Sequence, residues 1–204
     1  MTPLKRVIDI ALALLLAGLL ALPFALLLLW LRLTEGTPVF YVAERMRAPG
    51  RPFRLWKLRT MTVARLETGV SGGDKATRIT PSGRFLRQTR LDEVPQLWNV
   101  LNGDMSFVGP RPPLRIYVER FPDLYAEVLR SRPGVTGLAT LIFHRHEERL
   151  LAACHTAAET DAVYARRCVP RKARIDLIYQ RRQNLGLDFA ILARTLARAL
   201  KMGK

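Results

Sequence analysis

The longest uninterrupted apolar run in the chain, Ile10 to Leu31, holds no charged residue, and only Gly18, Pro23 and Trp30 break its succession of Ala, Leu, Ile and Phe. A straight helix of that length reaches ~33 Å, enough to cross the hydrocarbon core of a bilayer. The run is too long for the apolar part of a secretory signal peptide, and no small-x-small cleavage site follows it. It predicts a membrane-inserted helix. Lys5 and Arg6 precede it, and Arg32, Arg45, Arg47 and Arg51 follow it, so the positive-inside rule assigns no orientation. Pro23 falls near the middle, where it removes a helix hydrogen bond and favours a kink. Two readings stay open: a single span, or a kinked helix that dips in and returns with both ends on one face. Asp9 lies beside Lys5 and Arg6. It either belongs to a polar cluster that satisfies such a broken helix or complements the start of the helix dipole.

Beyond residue 34 the pattern changes. Val39–Val42 is β-prone and ends at a basic loop with Pro49-Gly50, and Phe53–Arg59 alternates apolar and basic residues. Gly36–Arg59 therefore predicts a hairpin whose second strand has one cationic face. Residues 65–81 read as a loop. Ser82–Arg90 reads as helix, with Phe85 and Leu86 inward and Arg84 and Arg87 outward. From Asp92 to Asn102 the spacing of Val94, Leu97, Trp98 and Leu101 is helical, and Gly103 is a natural stop. Pro95 is tolerable only in a first turn, which puts Asp92 and Glu93 at the helix start. There the helix dipole favours anions and unpaired N–H groups can receive a phosphate.

Pro112–Arg130 is a second helical region, interrupted at Pro122, and Arg132–Gly137 is a turn-rich loop. In the tail, Leu185–Lys201, the residues Phe189, Leu192, Leu196 and Leu200 share one face, and Arg194, Arg198 and Lys201 share the other. That pattern suits a helix in a headgroup layer and a core-packing helix equally. The whole predicts a mostly helical α+β fold in two parts, a membrane helix over residues 1–34 and a domain over 35–204.

Charge sharpens the picture. Lys and Arg number 33 against 17 Asp and Glu, a net charge of +16 in 204 residues. Such a balance favours an anionic partner: nucleic acid, acidic lipid or a phosphorylated substrate. No nucleic-acid motif with aromatic stacking positions is present, so nucleic acid is not expected. Two cysteines, Cys154 and Cys168, make no disulfide framework. His144, His146 and His155 lack a metal-ligand arrangement and read as structural or surface residues. Against this basic background the adjacent carboxylates Asp92 and Glu93, preceded by Arg84, Arg87 and Arg90 and followed by Gly109-Pro110-Arg111-Pro112, suggest chemistry on a phosphate carried by a lipid. The competing reading from charge alone is a non-catalytic, membrane-anchored basic protein that binds anionic lipid, nucleic acid or a protein partner.

Several blocks occur in a telling order: Lys5–Asp9, the apolar run with its central proline, Lys57–Met61, Leu91–Leu101, Gly103–Pro112 and Arg132–Gly137. With these blocks the chain resembles the small monotopic phosphoglycosyl transferases of the bacterial sugar transferase family over nearly its whole length. The resemblance implies a re-entrant helix, broken at Pro23 with Lys5, Arg6 and Asp9 in support, and a catalytic domain on the cytoplasmic face of the bacterial plasma membrane. It implies transfer of a sugar-1-phosphate from a UDP-sugar to a polyprenyl (undecaprenyl) phosphate, with release of UMP. Asp92 would be the nucleophile and a ligand of Mg²⁺. Glu93 would assist by deprotonating or positioning the acceptor or by holding the metal.

Arg87 and Arg111 match phosphate-binding arginines of the family, Lys57 and Arg59 on the cationic strand are further candidates, and Asp176 matches an acidic position without an assigned role. Anionic lipids are an expected partner. A homodimer, or other glycosyltransferases of the pathway, are partners the resemblance leaves open. Two departures stand out. Leu22 precedes Pro23 where a serine is expected, and Leu138–His144 replaces a segment with tryptophan and glutamine, which predicts an altered donor pocket.

Overall fold

The computed structural model describes residues 1–63 and 73–202, with side chains described for residues 1–63 and 75–198. Part of the expected 65–81 loop and the side chains of Leu200 and Lys201 fall outside these limits. The first element is a single long helix, α1 (Pro3–Glu35), with Pro23 inside it and Thr2 capping its start. It is long and apolar enough to cross a membrane, and only its ends are buried. Near the start, Leu12, Ala13 and Leu16 join a core with Phe53, Leu55, Val100 and Phe107. Near the end, Phe24, Leu27, Leu28 and Leu31 join another with Leu58, Leu86 and Leu91. Between and around them Leu14, Leu15, Leu19, Leu22 and Leu26 are exposed. Apolar surface of this kind belongs against lipid, and the chain is membrane-associated.

An antiparallel hairpin follows, β1 (Phe40–Ala48) and β2 (Arg51–Leu58), turning at Pro49-Gly50. Phe53 and Leu55 are buried and Arg54 is exposed on β2, but the alternation holds only to Leu55. Leu58, of opposite parity, is buried in another cluster, and Lys57 and Arg54 lie on opposite faces, so the expected single cationic face does not form. Residues 73–78 form a 3₁₀ turn where a loop was expected. Helix α2 (Pro81–Thr89) starts on a Thr80 cap. It buries Leu86, but Phe85 is exposed, against expectation, because the nine-residue helix offers the core only one narrow stripe.

The expected helix over 92–102 divides in two. Leu91–Glu93 is a separate 3₁₀ turn, and α3 (Gln96–Asn102) begins only after Pro95. Leu97 and Leu101 pack against the core as expected, but one expected core residue is not inside. Gln96, Asn99 and Val100 are buried while Trp98 is 58 % exposed. The reason is visible at the sheet edge. Asn99 accepts from the Trp56 amide at 3.1 Å and donates to the Arg54 carbonyl at 2.7 Å, so a side-chain amide takes the place of a neighbouring strand.

The expected loop Arg132–Gly137 contains a strand, β4 (Gly134–Thr136), parallel to β3 (Ser106–Val108). Between β3 and β4, α4 (Arg115–Arg120) and α5 (Pro122–Val128) flank Pro122, as the pattern foretells. Then come α6 (Leu138–Ala152), α7 (Ala157–Val163), a wide turn at Tyr164–Cys168, α8 (Val169–Arg182) and α9 (Leu185–Met202). Both cysteines are buried thiols. Helix α9 divides the expected apolar face of the tail, with Leu192 packed against the core. It packs inward through Asp188, Ile191, Thr195 and Arg198 and leaves Phe189 and Leu196 exposed. Arg198, expected outward, instead donates to the Leu141 carbonyl at 2.7 Å.

Candidate active site

The acidic turn sits where three supports meet. The first is β2, held by Asn99, which carries Lys57. The second is α2, which closes on the chain after β2. At Gly83 any Cβ would fall on the Thr60 backbone, and Arg87 Nε donates to Thr60 Oγ1 at 2.9 Å. Helix α2 ends at Arg90 in the left-handed conformation (φ 61°), the one such non-glycine among the described residues. That backbone costs about 1–3 kcal/mol and throws the Leu91–Glu93 turn back toward β2. The third support is the strap Gly109-Pro110-Arg111. Gly109 crosses β4 so closely that a Cβ on Gly109, Gly134 or Gly137 would collide with the facing backbone. That crossing aims Arg111 at the turn.

Asp92 and Glu93 are both buried, but their surroundings differ. Glu93 Oε1 accepts from Lys57 Nζ at 2.9 Å, Arg111 Nη2 at 2.9 Å and Arg90 Nη1 at 3.3 Å. Burial pushes the Glu93 carboxyl up, but Lys57, Arg111 and Arg90 outweigh it and hold it well below the usual range. Among the described residues, Asp92 has a single, looser ion-pair approach, from Lys57 at 3.7 Å. Its burial and the neighbouring Glu93 charge win over the cations, and its pKa lies above the ordinary aspartate value. Lys57 itself is pulled down by burial, opposed by Glu93 and Asp92. The pair is therefore asymmetric. Glu93 is an ion-paired anchor, and Asp92 is the more basic carboxylate, with less of its charge neutralised.

The other expected residues fall as follows. Arg87 lies within electrostatic reach of Asp92. Arg59 lies just past β2 and is spent on backbone. Its Nη2 donates to the Glu35 carbonyl at 2.7 Å, at the end of α1. Lys5, Arg6 and Asp9 anchor the start of α1 to the domain. Lys5 Nζ meets Asp188 Oδ2 at 2.6 Å, and Tyr179 donates to Asp188 Oδ1 at 2.6 Å. Arg6 donates to the Val100 and Leu101 carbonyls at 2.6 and 2.9 Å, satisfying the end of α3. Asp9 Oδ1 accepts from the Phe107 amide. Asp176 is buried against the start of α6, where burial raises its pKa to about 7 despite Lys172 and the Ala139 amide. Arg90 and Asn99 complete the site. The sequence marked Arg90 only as one of three arginines before the acidic pair, and Asn99 lay in a quoted motif with nothing in residue type or spacing to distinguish it from its neighbours.

Among the described residues no group of three or more His, Cys, Asp or Glu could hold a metal ion alone. Glu93 Oε1 is already surrounded by cations, which leaves Asp92 as the available ligand. Mg²⁺ is commonly held by one or two carboxylates plus substrate phosphates, so the donor set fits a cation that arrives with a diphosphate.

A buried, under-compensated carboxylate ringed by lysine and arginine, on a domain packed against an apolar helix, defines a membrane-associated site for phosphate chemistry. The family model described as Bacterial sugar transferase matches residues 1–202, and the chain belongs to that family. It is 39% identical over 138 residues to "Uncharacterized sugar transferase EpsL" of Bacillus subtilis (strain 168), covering 68% of each chain. It is 44% identical over 121 residues to a "Putative undecaprenyl-phosphate N-acetylgalactosaminyl 1-phosphate transferase" of the same organism, covering 58% of this chain and 66% of that one. Against the "UDP-glucose:undecaprenyl-phosphate glucose-1-phosphate transferase" of Escherichia coli (strain K12) the identity is 35% over 167 residues, covering 80% of this chain but only 36% of the relative.

Proposed function

We propose that this chain transfers a sugar-1-phosphate from a UDP-sugar to undecaprenyl phosphate, the first membrane step in building a glycoconjugate. The observation that carries the reading is the asymmetry of the acidic pair. A carboxylate oxygen of Asp92 attacks the sugar-side phosphorus of the donor. The bond from that phosphorus to the bridging oxygen breaks, and UMP leaves with the electron pair. A phosphate oxygen of the lipid acceptor then attacks the same phosphorus, and Asp92 departs as a carboxylate. No net proton is consumed, and two bulky substrates use one site in turn.

Lys57, Arg87, Arg90 and Arg111 position the phosphates and spread the developing charge. Glu93 holds three of these cations in place. Mg²⁺, held by Asp92 and the donor phosphates, would neutralise the diphosphate and the leaving UMP. The relatives' printed activities support the reaction class. The packing of both ends of α1 on one domain supports a helix that enters and leaves on the cytoplasmic face, with Pro23 at the turn. The exposed Phe189–Leu196 stripe of α9 supports a second contact with the lipid surface.

The test is UMP release by protein in nanodiscs with Mg²⁺, undecaprenyl phosphate and a panel of UDP-sugars, wild type against Asp92→Asn. Acceptor-dependent UMP from a donor, lost in the variant together with a covalent sugar-phosphate adduct on the protein, is the expected result. UMP release that survives in Asp92→Asn would remove Asp92 from the nucleophile's role.

A further inference from the structure

Arg45 lies on β1, and the sequence marks it only as one of the basic residues that follow the membrane helix. The hairpin register gives it a more definite place. Tyr41 faces Lys57, Ala43 faces Leu55 and Arg45 faces Phe53 across the ladder. Directly opposite residues of an antiparallel pair share a face of the sheet, and so do alternate residues along each strand. Arg45 therefore stands on the face that carries Lys57. At the other edge of β1 the chain leaving the strap runs alongside, since the Met46 amide donates to the Pro113 carbonyl at 3.0 Å. Arg111, two residues before Pro113, meets Glu93 Oε1 at 2.9 Å, the same oxygen that Lys57 Nζ meets at 2.9 Å. Three cations thus approach one face of the hairpin: Lys57 from β2, Arg111 from the strap and Arg45 from the strand between them.

They differ in what holds them. Lys57 and Arg111 are both bonded to Glu93. Among the described residues Arg45 makes no ion pair, and its guanidinium donates to the Glu44 carbonyl at 2.8 Å. The carboxylate of Glu44, on the opposite face, is spent on Arg115 at 2.7 and 3.0 Å. Arg45 is nonetheless partly buried, and that burial, joined by the charge of Arg111, lowers its pKa. A cation drawn out of water without a counter-charge is costly, and no carboxylate among the described residues supplies one here.

We infer that Arg45 is a further phosphate-binding residue of the active site, its guanidinium closing on a phosphate oxygen of a bound substrate beside Arg111. The inference rests on the sugar-phosphate transfer reading above. Both substrates bring the same chemistry, a diphosphate on the nucleotide sugar and a monophosphate on the lipid acceptor. The planar fork of an arginine, with its several fixed N–H donors, suits either. An anion seated between Arg45 and Arg111 also turns the repulsion of two neighbouring cations into shared attraction. Lys57, Arg90 and Arg111 are partly spent on Glu93, whereas Arg45 offers its full charge to the ligand.

The experiment compares wild type, Arg45→Gln and Arg45→Lys, each as the full chain in nanodiscs with Mg²⁺. UMP release is measured with the UDP-sugar and the undecaprenyl phosphate varied in turn, and thermal unfolding is followed with and without inorganic pyrophosphate. The expected result is a loss of kcat/KM on the order of tenfold in Arg45→Gln. Arg45→Lys should fall between, since an ammonium keeps the charge and loses the fork. A loss confined to the UDP-sugar assigns the contact to the donor diphosphate, and one confined to undecaprenyl phosphate assigns it to the lipid phosphate. A loss in both places it at the transferred phosphoryl group. The ligand-free unfolding temperature should stay level or rise in Arg45→Gln, and pyrophosphate should raise it less than in wild type. Unchanged kcat/KM for both substrates overturns the inference. A lowered ligand-free unfolding temperature with an undiminished pyrophosphate shift also overturns it, because Arg45 would then serve the fold. Absence of UMP release from wild type with every donor is a different failure and removes the transferase reading itself. The pyrophosphate shift then still tests Arg45, and equal shifts in wild type and Arg45→Gln overturn its role. Arg45→Lys keeps the test open if Arg45→Gln fails to fold.

Discussion

Lys57 Nζ stands 2.9 Å from Glu93 Oε1 and 3.7 Å from Asp92 Oδ2, so this lysine, which approaches both carboxylates, favours Glu93 over Asp92. The difference in pKa that results has opposite consequences for the two groups. Asp92 is raised, so it must lose a proton that a free aspartate would lose near pH 3.9. The rate of adduct formation with a UDP-sugar should therefore rise through a limb above that value. A limb at or below the free-aspartate value would contradict the asymmetry.

Glu93 is depressed, so its contribution to stability is fully present above its unfolded pKa of about 4.3 and is lost as pH falls toward its folded value. Glu93→Gln removes that contribution at all pH and leaves Lys57, Arg90 and Arg111 without their shared partner. The cost should be about 2 kcal/mol, below the figure for a fully buried pair because the two arginines are about a third exposed. Urea or thermal unfolding in detergent at pH 7 and pH 4 measures it. The wild-type–variant gap should narrow at the lower pH.

Lys5 and Asp188 form a buried pair that joins the start of α1 to α9, with side chains 7% and 8% exposed. Lys5→Met should cost about 3–5 kcal/mol because Asp188 keeps only Tyr179. The double variant Lys5→Met, Asp188→Leu should recover part of that loss. Thermal unfolding of the two variants separates an uncompensated charge from a simple packing defect. Equal losses in both would exclude the charge explanation.

Gly109→Ala should lower stability and activity together. The added methyl meets the Arg132 carbonyl, and the strap must move, taking Arg111 with it. Overpacking of this kind costs about 1–3 kcal/mol. A variant that unfolds at the wild-type temperature with full turnover would show that the strap has slack.

The exposed stripe of α9 gives the opposite expectation. Leu196→Ser should change stability by less than about 0.5 kcal/mol, since Leu196 is 62 % exposed, yet it should weaken flotation with anionic vesicles. Unchanged flotation, tested together with Phe189→Ser, would remove α9 from the membrane contact.

Much of this architecture was legible in the residues. The long apolar run, the hairpin around Pro49-Gly50, the break at Pro122 and the stop at Gly103 are local signals, written in composition and turn chemistry. What escaped depends on long-range partners. Asn99 looked like an ordinary polar residue because the strand edge it completes lies over forty positions earlier. Trp98 looked like core because periodicity marks an apolar face without saying whether protein or lipid covers it. Lys5 was read only as a flank of the membrane helix and Asp188 was not singled out, since no spacing rule links positions 183 apart. Within the site, Lys57 and Arg111 were placed beside the acidic pair, whereas Arg59 turned out to serve the end of α1. Arg111 was marked by the family resemblance and Arg59 by its place on the cationic strand, and only the fold separates them.

The cations around the acidic pair outnumber its two carboxylates: Lys57, Arg90 and Arg111 touch Glu93, and Arg87 lies near Asp92. The pocket's own charge is thus left unbalanced in favour of polyanions, and a negatively charged nucleotide arriving from solution falls down a gradient of potential that added salt flattens. A lipid phosphate, already confined to the surface, gains little from such steering. On the two-step transfer proposed above, ionic strength should throttle the first half-reaction far more than the second.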